Sequence, residues 1–280
     1  MIQNSKEHNL HMNFKNYLTI VKFTISDELH NKSFYVMAGI GVLLVFMLRG
    51  CFNGNVQVNG QSVNALDIGY WASIVAFNLI AVAGMMISVL LSMRLLKRDR
   101  EYGMATVILS KPVRRTEYMA GKISGIWLLS YGFTLLLHMC VYILMLIKTG
   151  GRIPFFIPAS MVTSIGVLFV IVLVMVLSTV LPDVIAALIT IGSGAVSIAI
   201  DSFTMISDKA NIHLDTSMSA GTVIATIWPK VASLLFFATS LIREQPFLTK
   251  IPVHPIVNLL VLIVGAGVLL FWKFSKEEIV

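Results

Sequence analysis

The chain has 280 residues, of which 57% are hydrophobic and only 12% are charged. Soluble domains carry about 25% charged residues, so this composition excludes an ordinary soluble domain and indicates a protein that spans a lipid bilayer. The net charge of +7 does not indicate a nucleic-acid partner. Most of the basic residues lie in segments that the predicted topology places in the cytoplasm, which is the usual charge asymmetry of membrane proteins.

The first predicted element is an amphipathic helix that follows a polar leader. Apolar residues recur there at helical spacing, with Lys15, Thr19, Lys22 and Ser26 on the opposite side. The apolar residues are Phe14, Tyr17, Leu18, Val21, Ile25 and Leu29. We expect residues 1–32 to be cytoplasmic, with this helix lying in the membrane interface. A solvated helix packed on protein is the alternative.

Six segments are apolar enough to be predicted as membrane spans. They are Ser33–Leu48, Ile68–Leu91, Ile123–Ile147, Ile157–Leu181, Val184–Ile200 and Pro255–Trp272. Because a span needs about 20 apolar residues, the first, fifth and sixth must include flanking residues. The predicted fold is therefore an all-α polytopic membrane protein with both termini on one side, and residues 1–280 form a single domain.

A short hairpin is predicted in the first outer loop, Gly50–Asp67. Residues on both sides of Asn59-Gly60 alternate between apolar and polar, and Asn-Gly favours the positive φ angles of a tight turn. The loop contains no Lys or Arg, which agrees with an outward position. A plain polar loop is the alternative.

The loop Arg94–Lys122, which we call the basic loop, contains eight of the 21 Lys and Arg residues. Short loops rich in Lys and Arg remain in the cytoplasm during membrane insertion, so this loop sets the orientation and places both termini inside. Glu101–Ser110 is predicted to form a short helix, with Tyr102, Ala105 and Leu109 on one side, and a proline soon after ends it. A force applied to a helix that is held between the ends of two spans would tilt both spans.

Few ionisable residues fall within the predicted spans. His138 in the third span is the exception, and an ionisable group at membrane depth is a candidate for a role in transport. A lone histidine with no carboxylate partner nevertheless favours packing. In the fifth span, the small residues Ala186, Thr190 and Gly194 are spaced four apart. This spacing favours close helix packing over a substrate path.

The segment Asp201–His254 is predicted to face outward and contains one short apolar run. Val231–Ile242 has 12 residues, which suits a re-entrant or interfacial helix better than a crossing. Joining it to Met218–Trp228 would make a seventh span. That arrangement would move Lys273 and Lys276 to the outside, against the positive-inside rule, so six spans are preferred.

The sequence contains no recognisable motif for catalysis, nucleotide binding or metal binding. Gly121-Lys122 is followed by Ile123 and lacks the upstream glycine of a phosphate-binding loop. Cys51 and Cys140 are expected to be free thiols, since two cysteines at different predicted depths do not make a disulfide framework. We therefore predict a non-catalytic chain with no bound cofactor and no metal site.

The basic loop carries a resemblance to a known family. The run Glu101-Tyr102-Gly103, then Leu109-Ser110-Lys111-Pro112-Val113-Arg114-Arg115, then Glu117 and Gly121-Lys122, is similar to the E-x-G…L-S-x-P-V-x-R…G-K cytoplasmic loop of type-2 ATP-binding-cassette (ABC) permeases. The amphipathic N-terminal helix, the six spans and the charged tail Lys273–Glu278 agree with that family. The hairpin loop and Ile227-Trp228-Pro229-Lys230 further resemble the branch that includes permeases for copper-enzyme maturation and gliding motility.

The resemblance implies partners and site residues. In that family the loop helix after the second span is a coupling helix, which fits in a groove of a separate ATPase subunit. Here the implied contact residues are Arg98, Glu101, Tyr102, Gly103, Ala105, Leu109, Ser110, Pro112, Arg114 and Arg115. The family also implies two ATPase copies, a permease homodimer, a location in the bacterial inner membrane, and export as the direction of transport.

Three functions are considered for a chain with this sequence. The leading hypothesis is a permease subunit that converts ATP hydrolysis by a partner into substrate movement. The alternative is an ion-coupled secondary transporter, which the scarcity of ionisable residues at membrane depth disfavours. An intramembrane enzyme is disfavoured because no nucleophile and base, or set of metal ligands, occurs in the spans. The expected partners are two copies of the ATPase, a second copy of the permease and the lipid bilayer. No nucleic-acid partner is expected.

Overall fold

The long apolar segments of the sequence become helices in the computed structural model, which describes residues 14–50, 57–58, 61–62, 65–93, 95, 98, 114–209, 226–247 and 253–276. Within those residues the chain forms eight α-helices and one two-stranded ribbon. The helices are α1 (Phe14–Leu29), α2 (Lys32–Leu48), α3 (Ala65–Met93), α4 (Arg115–Thr149), α5 (Phe156–Ser178), α6 (Asp183–Lys209), α7 (Val231–Ile242) and α8 (Pro255–Lys276).

Among the described helices, α3, α4, α5, α6 and α8 are each long and apolar enough to cross a membrane. Helix α2 has 17 residues. Its length is roughly 25 Å, somewhat less than the ~30 Å hydrocarbon layer. Helices α1 and α2 together meet the same criterion, but they are bent by 68° at the break between them. Five of the six predicted spans are thus confirmed. The sixth, on α2, stays a prediction, because this helix needs flanking residues or a locally thinner bilayer to complete the crossing.

The predicted hairpin is present as a short ribbon. Strand β1 (Gln57–Val58) pairs antiparallel with β2 (Gln61–Ser62). Gln57 lies opposite Ser62, and Val58 lies opposite Gln61, so the two strands flank residues 59–60 in the register of a tight turn. The hairpin is therefore confirmed and the plain-loop alternative is wrong.

The alternation of helix direction gives the bundle two ends. At the end that we call the basic end, α3 leads into the basic loop and α4 begins after it, and α5, α6 and α8 also have one terminus there. At the opposite end, the hydroxyl of Tyr70 near the start of α3 donates to the carbonyl oxygen of Ile242 at 3.2 Å. Helix α7 therefore lies at the opposite end of the bundle.

Two apolar clusters of described residues fill the interior between these ends. The cluster nearer the basic end includes Leu95, Tyr118, Met119, Met175 and Phe274. The cluster nearer the opposite end includes Phe77, Ile80, Val141, Phe156 and Ile242. In contrast, α2, α6 and α8 expose many large apolar side chains on their outer surfaces. Such surfaces are stable only against lipid or another apolar partner.

Candidate functional site

Three of the ten predicted contact residues lie among the described residues: Arg98, Arg114 and Arg115. The other seven, and with them the predicted coupling helix, lie outside the described residues. They are Glu101, Tyr102, Gly103, Ala105, Leu109, Ser110 and Pro112. The structure thus describes how the two ends of the basic loop are attached to the bundle.

The first end of the basic loop is attached to α1 through Arg98. Its guanidinium Nη2 donates to Asp27 Oδ2 and to Glu28 Oε1, each at 2.5 Å. The Glu28 side chain is only 2% exposed. Burial raises the pKa of this carboxyl, and the charge and hydrogen bond of Arg98 act in the opposite direction. Carboxylates at the C-terminal end of a helix are also repelled by the negative end of the helix dipole. The positive charge of Arg98 therefore stabilises both Asp27 and Glu28 there.

The second end of the basic loop continues directly into α4, and this corrects the predicted boundary. The loop was expected to extend to Lys122, but helix α4 begins at Arg115. The backbone N–H of Arg114 donates to Glu117 Oε2 at 3.3 Å, so this glutamate satisfies a free donor at the helix start. Arg115 Nη1 donates to the carbonyl oxygen of Phe274 in the last turn of α8, at 3.4 Å. Most residues from Glu117 to Lys122, in the first two turns of α4, are buried.

Aromatic rings connect these first turns of α4 to α8 and α1. The rings of Tyr118 and Phe274 stack with centroids 6.0 Å apart and an interplanar angle of 17°. Lys122 is fully buried, and its Nζ lies 5.7 Å from the ring centroids of both Tyr118 and Phe23. Ring faces attract a cation and replace part of its lost hydration. A lysine that looked like part of a loop is therefore a packed contact between α1 and α4.

Helix α1 lies against α4 through two glycines. A Cβ on Gly121 would lie 2.7 Å from Ile20 Cγ2, and a Cβ on Gly125 would lie 2.7 Å from Thr24 Cβ. Beside them, the hydroxyl of Tyr17 donates to Ser124 Oγ at 2.7 Å. Glycines four residues apart allow helix backbones to approach closely. This pair was not among the predicted contacts, although its spacing is visible in the sequence.

The packing of α1 shows features of both sequence interpretations of this helix. Its bounds agree with the predicted amphipathic pattern, but one face, including Ile20, is buried against α4, as the packed alternative proposed. A separate strip with Phe14, Leu18 and Leu29 remains exposed. The helix therefore contacts protein on one side and presents apolar side chains on another, which suits an interfacial position.

Helix α8 also reaches the end of α5 at the basic end. Lys273 Nζ donates to the carbonyl oxygen of Thr179, the residue that caps α5, at 2.8 Å. A lysine side chain often satisfies the free carbonyls at a helix terminus. The basic end is thus a set of direct contacts among α1, α4, α5, α8 and the start of the basic loop, which we call the basic-end junction.

A comparison with known proteins identifies the family. A family profile described as ABC-2 family transporter protein matches residues 2–279. The chain belongs to the ABC-2 transporter family. The protein is therefore a multi-pass membrane protein of the permease type, the membrane subunit of an ABC transporter, and its family implies an ABC ATPase as partner. None of the curated proteins with which the sequence was compared matches it.

The permease has a second polar region, around α7 at the opposite end. Helix α7 has 12 residues and packs against α3, α5, α6 and α8, with Leu234 and Ala238 fully buried. Its length of about 18 Å is too short to cross the bilayer. The choice between a re-entrant and an interfacial helix stays a prediction. The segment that a seventh span would need lies mostly outside the described residues.

The start of α7 lies inside the bundle, where its free N–H groups need partners. The N–H of Lys230 donates to Asn258 Oδ1 at 3.1 Å, and the N–H of Ala232 donates to Ser197 Oγ at 3.1 Å. The hydroxyl of Ser233 donates to Asp201 Oδ2 at 2.8 Å. Asp201 was expected at the end of the fifth span, but α6 continues to Lys209, and α7 covers the carboxylate.

His138 of the permease is buried with both ring nitrogens engaged. Its Nε2 lies 3.1 Å from the carbonyl oxygen of Phe77, and its Nδ1 lies 2.7 Å from Ser160 Oγ. Because a carbonyl only accepts, Nε2 carries a proton, and in the neutral ring Nδ1 accepts from the serine hydroxyl. The Phe77 ring stacks on the imidazole with centroids 4.4 Å apart. These contacts agree with the packing interpretation of this histidine.

Only some of the small residues of the fifth span lie at buried contacts. Ala186 and Thr190 are buried, as the packing interpretation predicted. A Cβ on Gly194 would meet no atom within 4 Å, so this glycine is not at a close contact within the described chain. The neighbouring Ser193 contributes its carbonyl oxygen, which accepts from Trp228 Nε1 at 3.1 Å. Helix α6 thus uses backbone and hydroxyl acceptors rather than glycines near α7.

Proposed function

We propose that this permease couples ATP hydrolysis by two copies of a separate ATPase subunit to the export of a substrate through a permease homodimer. The ATPase contact is the basic loop, from Arg98 through Glu101 and Gly103 to Arg115. Residues 1–280 act as one permease domain in the inner membrane of a bacterium. The basic end, with both chain termini, faces the cytoplasm.

The attachment of the basic loop at both ends is the observation that carries this proposal. Arg98 holds the start of the loop on α1, and Arg115 is the first residue of α4 and contacts α8. A displacement of the loop must therefore move α1, α4 and α8 together. A loop that served only to orient the chain in the membrane would not require these contacts.

The homodimer is supported by the packed interior of one bundle. The two apolar clusters fill the space between the described helices, so a wide path fits better between two copies than inside one. The exposed apolar surfaces of α6 and α8 are available for such a contact. Mass measurement of the ATPase-bound complex in native lipid should give two permease copies, and a single copy with ATPase bound contradicts the homodimer.

The coupling proposal is tested by ATPase retention on the purified permease. Glu101→Arg reverses a charge at the proposed contact, and Gly103→Trp obstructs close docking. Like charges placed together at a docked contact cost several kcal/mol, so we expect ATPase retention to fall at least tenfold at an unchanged amount of folded permease. Asp67→Arg, an equivalent charge reversal at the exposed start of α3, is the matched control and should retain the ATPase. Full retention in both loop variants contradicts the proposal.

The orientation is tested separately by labelling single cysteines in intact cells. An impermeant thiol reagent should modify Asn59→Cys in the hairpin loop and should not modify Lys276→Cys at the end of α8. Labelling of Lys276→Cys under the same conditions would place the basic end outside and contradict the six-span orientation.

A further inference from the structure

We propose that α1 binds anionic phospholipid headgroups through Lys15 and Lys22, while the exposed apolar side chains beside these lysines enter the acyl region of the same bilayer. Such a lipid contact requires only that the basic end lie at a membrane surface. It depends neither on the ATPase nor on the direction of transport.

The packing of α1 on α4 fixes which sides of the helix are free. Ile20 and Thr24 face α4, where two glycines let them approach closely. Phe14, Leu18 and Leu29 recur at helical spacing about a quarter turn away from that buried face. Each of these three side chains, which we call the apolar strip, is at least 37% exposed. Protein contacts thus set the rotation of α1 about its axis, and with it the direction in which the apolar strip points.

Two lysines line the edge of the apolar strip that is farther from α4. Lys15 and Lys22 are two helical turns apart, and both are exposed. Neither lysine forms an ion pair with a residue that the structure describes. The two acidic residues of α1, Asp27 and Glu28, are both bonded to Arg98 on the other side of the helix. The edge beside the apolar strip therefore carries two positive charges and no negative charge.

The direction of α1 favours a bilayer as the occupant of this surface. Helix α1 is bent by 68° relative to α2, which exposes large apolar side chains such as Ile40 and Phe46. Membrane helices are tilted by about 20° on average, so when α2 crosses at such a tilt, α1 lies closer to the membrane plane than to its normal. Apolar side chains of a helix in this plane enter the lipid, and lysines beside them reach the headgroups.

Anionic headgroups match this surface better than zwitterionic headgroups do, because only they carry a net negative charge. The two lysines are separated by about 10 Å along the helix axis, so each can contact a different headgroup. One basic side chain near an anionic membrane surface strengthens binding roughly fivefold. A soluble phosphate anion would contact the lysines but would leave the apolar strip uncovered.

The lipid composition around α1 is measured by energy transfer from a fluorophore on Ser26→Cys, which is exposed one turn after Lys22. The full-length chain carries Cys51→Ser and Cys140→Ser and is reconstituted in vesicles of phosphatidylglycerol and phosphatidylcholine. The same acceptor is placed on an acyl chain of either lipid. We expect transfer to phosphatidylglycerol to exceed transfer to phosphatidylcholine roughly threefold at equal acceptor fractions.

The double variant Lys15→Gln with Lys22→Gln should bring the two transfer efficiencies close to each other. Lys148→Gln with Arg152→Gln, which removes two exposed basic residues at the opposite end, is the matched control and should keep the preference. Equal transfer to both lipids in the parent overturns the proposal. A preference that is unchanged in the double lysine variant also overturns it. Because both lysines are exposed, the amount of folded permease should be the same in all samples.

A competition experiment separates headgroups from soluble phosphate. Sodium chloride should weaken the preference, since salt screens charges at an exposed surface. Inorganic phosphate at the same ionic strength should weaken it no further. If phosphate abolishes the preference at an ionic strength at which chloride does not, the lysines bind a soluble anion and the lipid proposal is wrong.

The apolar strip is tested independently with a nitroxide spin label on Leu18→Cys. Collisions with oxygen, which concentrates in the acyl region, should exceed collisions with a water-soluble nickel complex. The reverse order would place the apolar strip in water. Protection from both reagents would mean that protein covers it, and either result overturns the proposal.

Discussion

The two ends of the bundle are held together by different kinds of contact. At the basic-end junction, charged and aromatic side chains connect the termini of complete helices, as in the contacts of Arg98 with Glu28 and of Tyr118 with Phe274. At the opposite end, hydroxyl and amide groups satisfy a helix that begins inside the bundle, as Ser197 does for Ala232. We expect the first arrangement to keep the helix ends together and the second to hold one short helix less firmly.

If the basic-end junction depends on charge, the largest effect should follow from Arg98→Met. This change leaves Glu28 buried without its guanidinium partner, and breaking such a pair costs about 3 kcal/mol. The apparent midpoint of thermal unfolding in mild detergent measures the loss. Arg243→Met at the opposite end is the control. Its guanidinium lies 4.9 Å from the Trp71 ring centroid at an exposed position, a contact that contributes about 0.5–1 kcal/mol. Equal losses in the two variants would remove the distinction between the two ends.

The same Arg98→Met variant should recover stability in mildly acidic solution. Burial already raises the pKa of Glu28, and the variant loses the charge that opposed this increase. A raised pKa in the folded state means that the protonated carboxyl is preferred there. The destabilisation is therefore absent below the unfolded pKa of about 4.3 and grows as the pH rises through the folded value. We expect the midpoint difference from the parent to be smaller at pH 5 than at pH 7.5, and an unchanged difference would exclude Glu28 as the cause.

Two glycines on one helix should respond to the same substitution with opposite signs. A Cβ at Gly125 meets Thr24 of α1 at 2.7 Å, whereas a Cβ at Gly132 meets nothing within 4 Å. Gly125→Ala should destabilise by about 2 kcal/mol through overpacking and expose α1 to protease. Gly132→Ala should be stabilising by up to about 1 kcal/mol, because alanine is the better helix former. Equal behaviour of the two variants would mean that α1 is not seated on α4.

The smallest effect is expected where α7 meets α3. Asn78 Nδ2 donates to Thr239 Oγ1 at 3.1 Å. A double-mutant cycle with Asn78→Ala and Thr239→Val should give a coupling energy of about 0.6 kcal/mol, the usual value for hydrogen bonds between membrane helices. A coupling of several kcal/mol would show that α7 is fixed as firmly as the basic-end junction, and the contrast between the ends would then fail.

Several features of this protein could be predicted from the sequence because each depends on local composition. Apolar length marks α3, α5 and α8, since every backbone group in lipid must be satisfied within its own helix. The alternating residues around Asn59-Gly60 predict the ribbon, because the turn conformation is a local property. The bounds of α7 agree with its apolar run, Val231–Ile242. The pattern of the basic loop was also sufficient to indicate the family.

Other features were decided only by tertiary contacts, because they depend on which helix lies next to which. Polarity alone placed Arg115–Lys122 in a loop, but packing on α1 and α8 makes this segment helical and buries Lys122 between two rings. Gly125 and Gly194 both lie in predicted spans. Of these two, only Gly125 has a neighbour so close that an added Cβ would collide with it. Asp201 and Ser233 lie on different helices, and their hydrogen bond requires α7 to pack among α3, α5, α6 and α8. Local periodicity contains no information about such long-range neighbours.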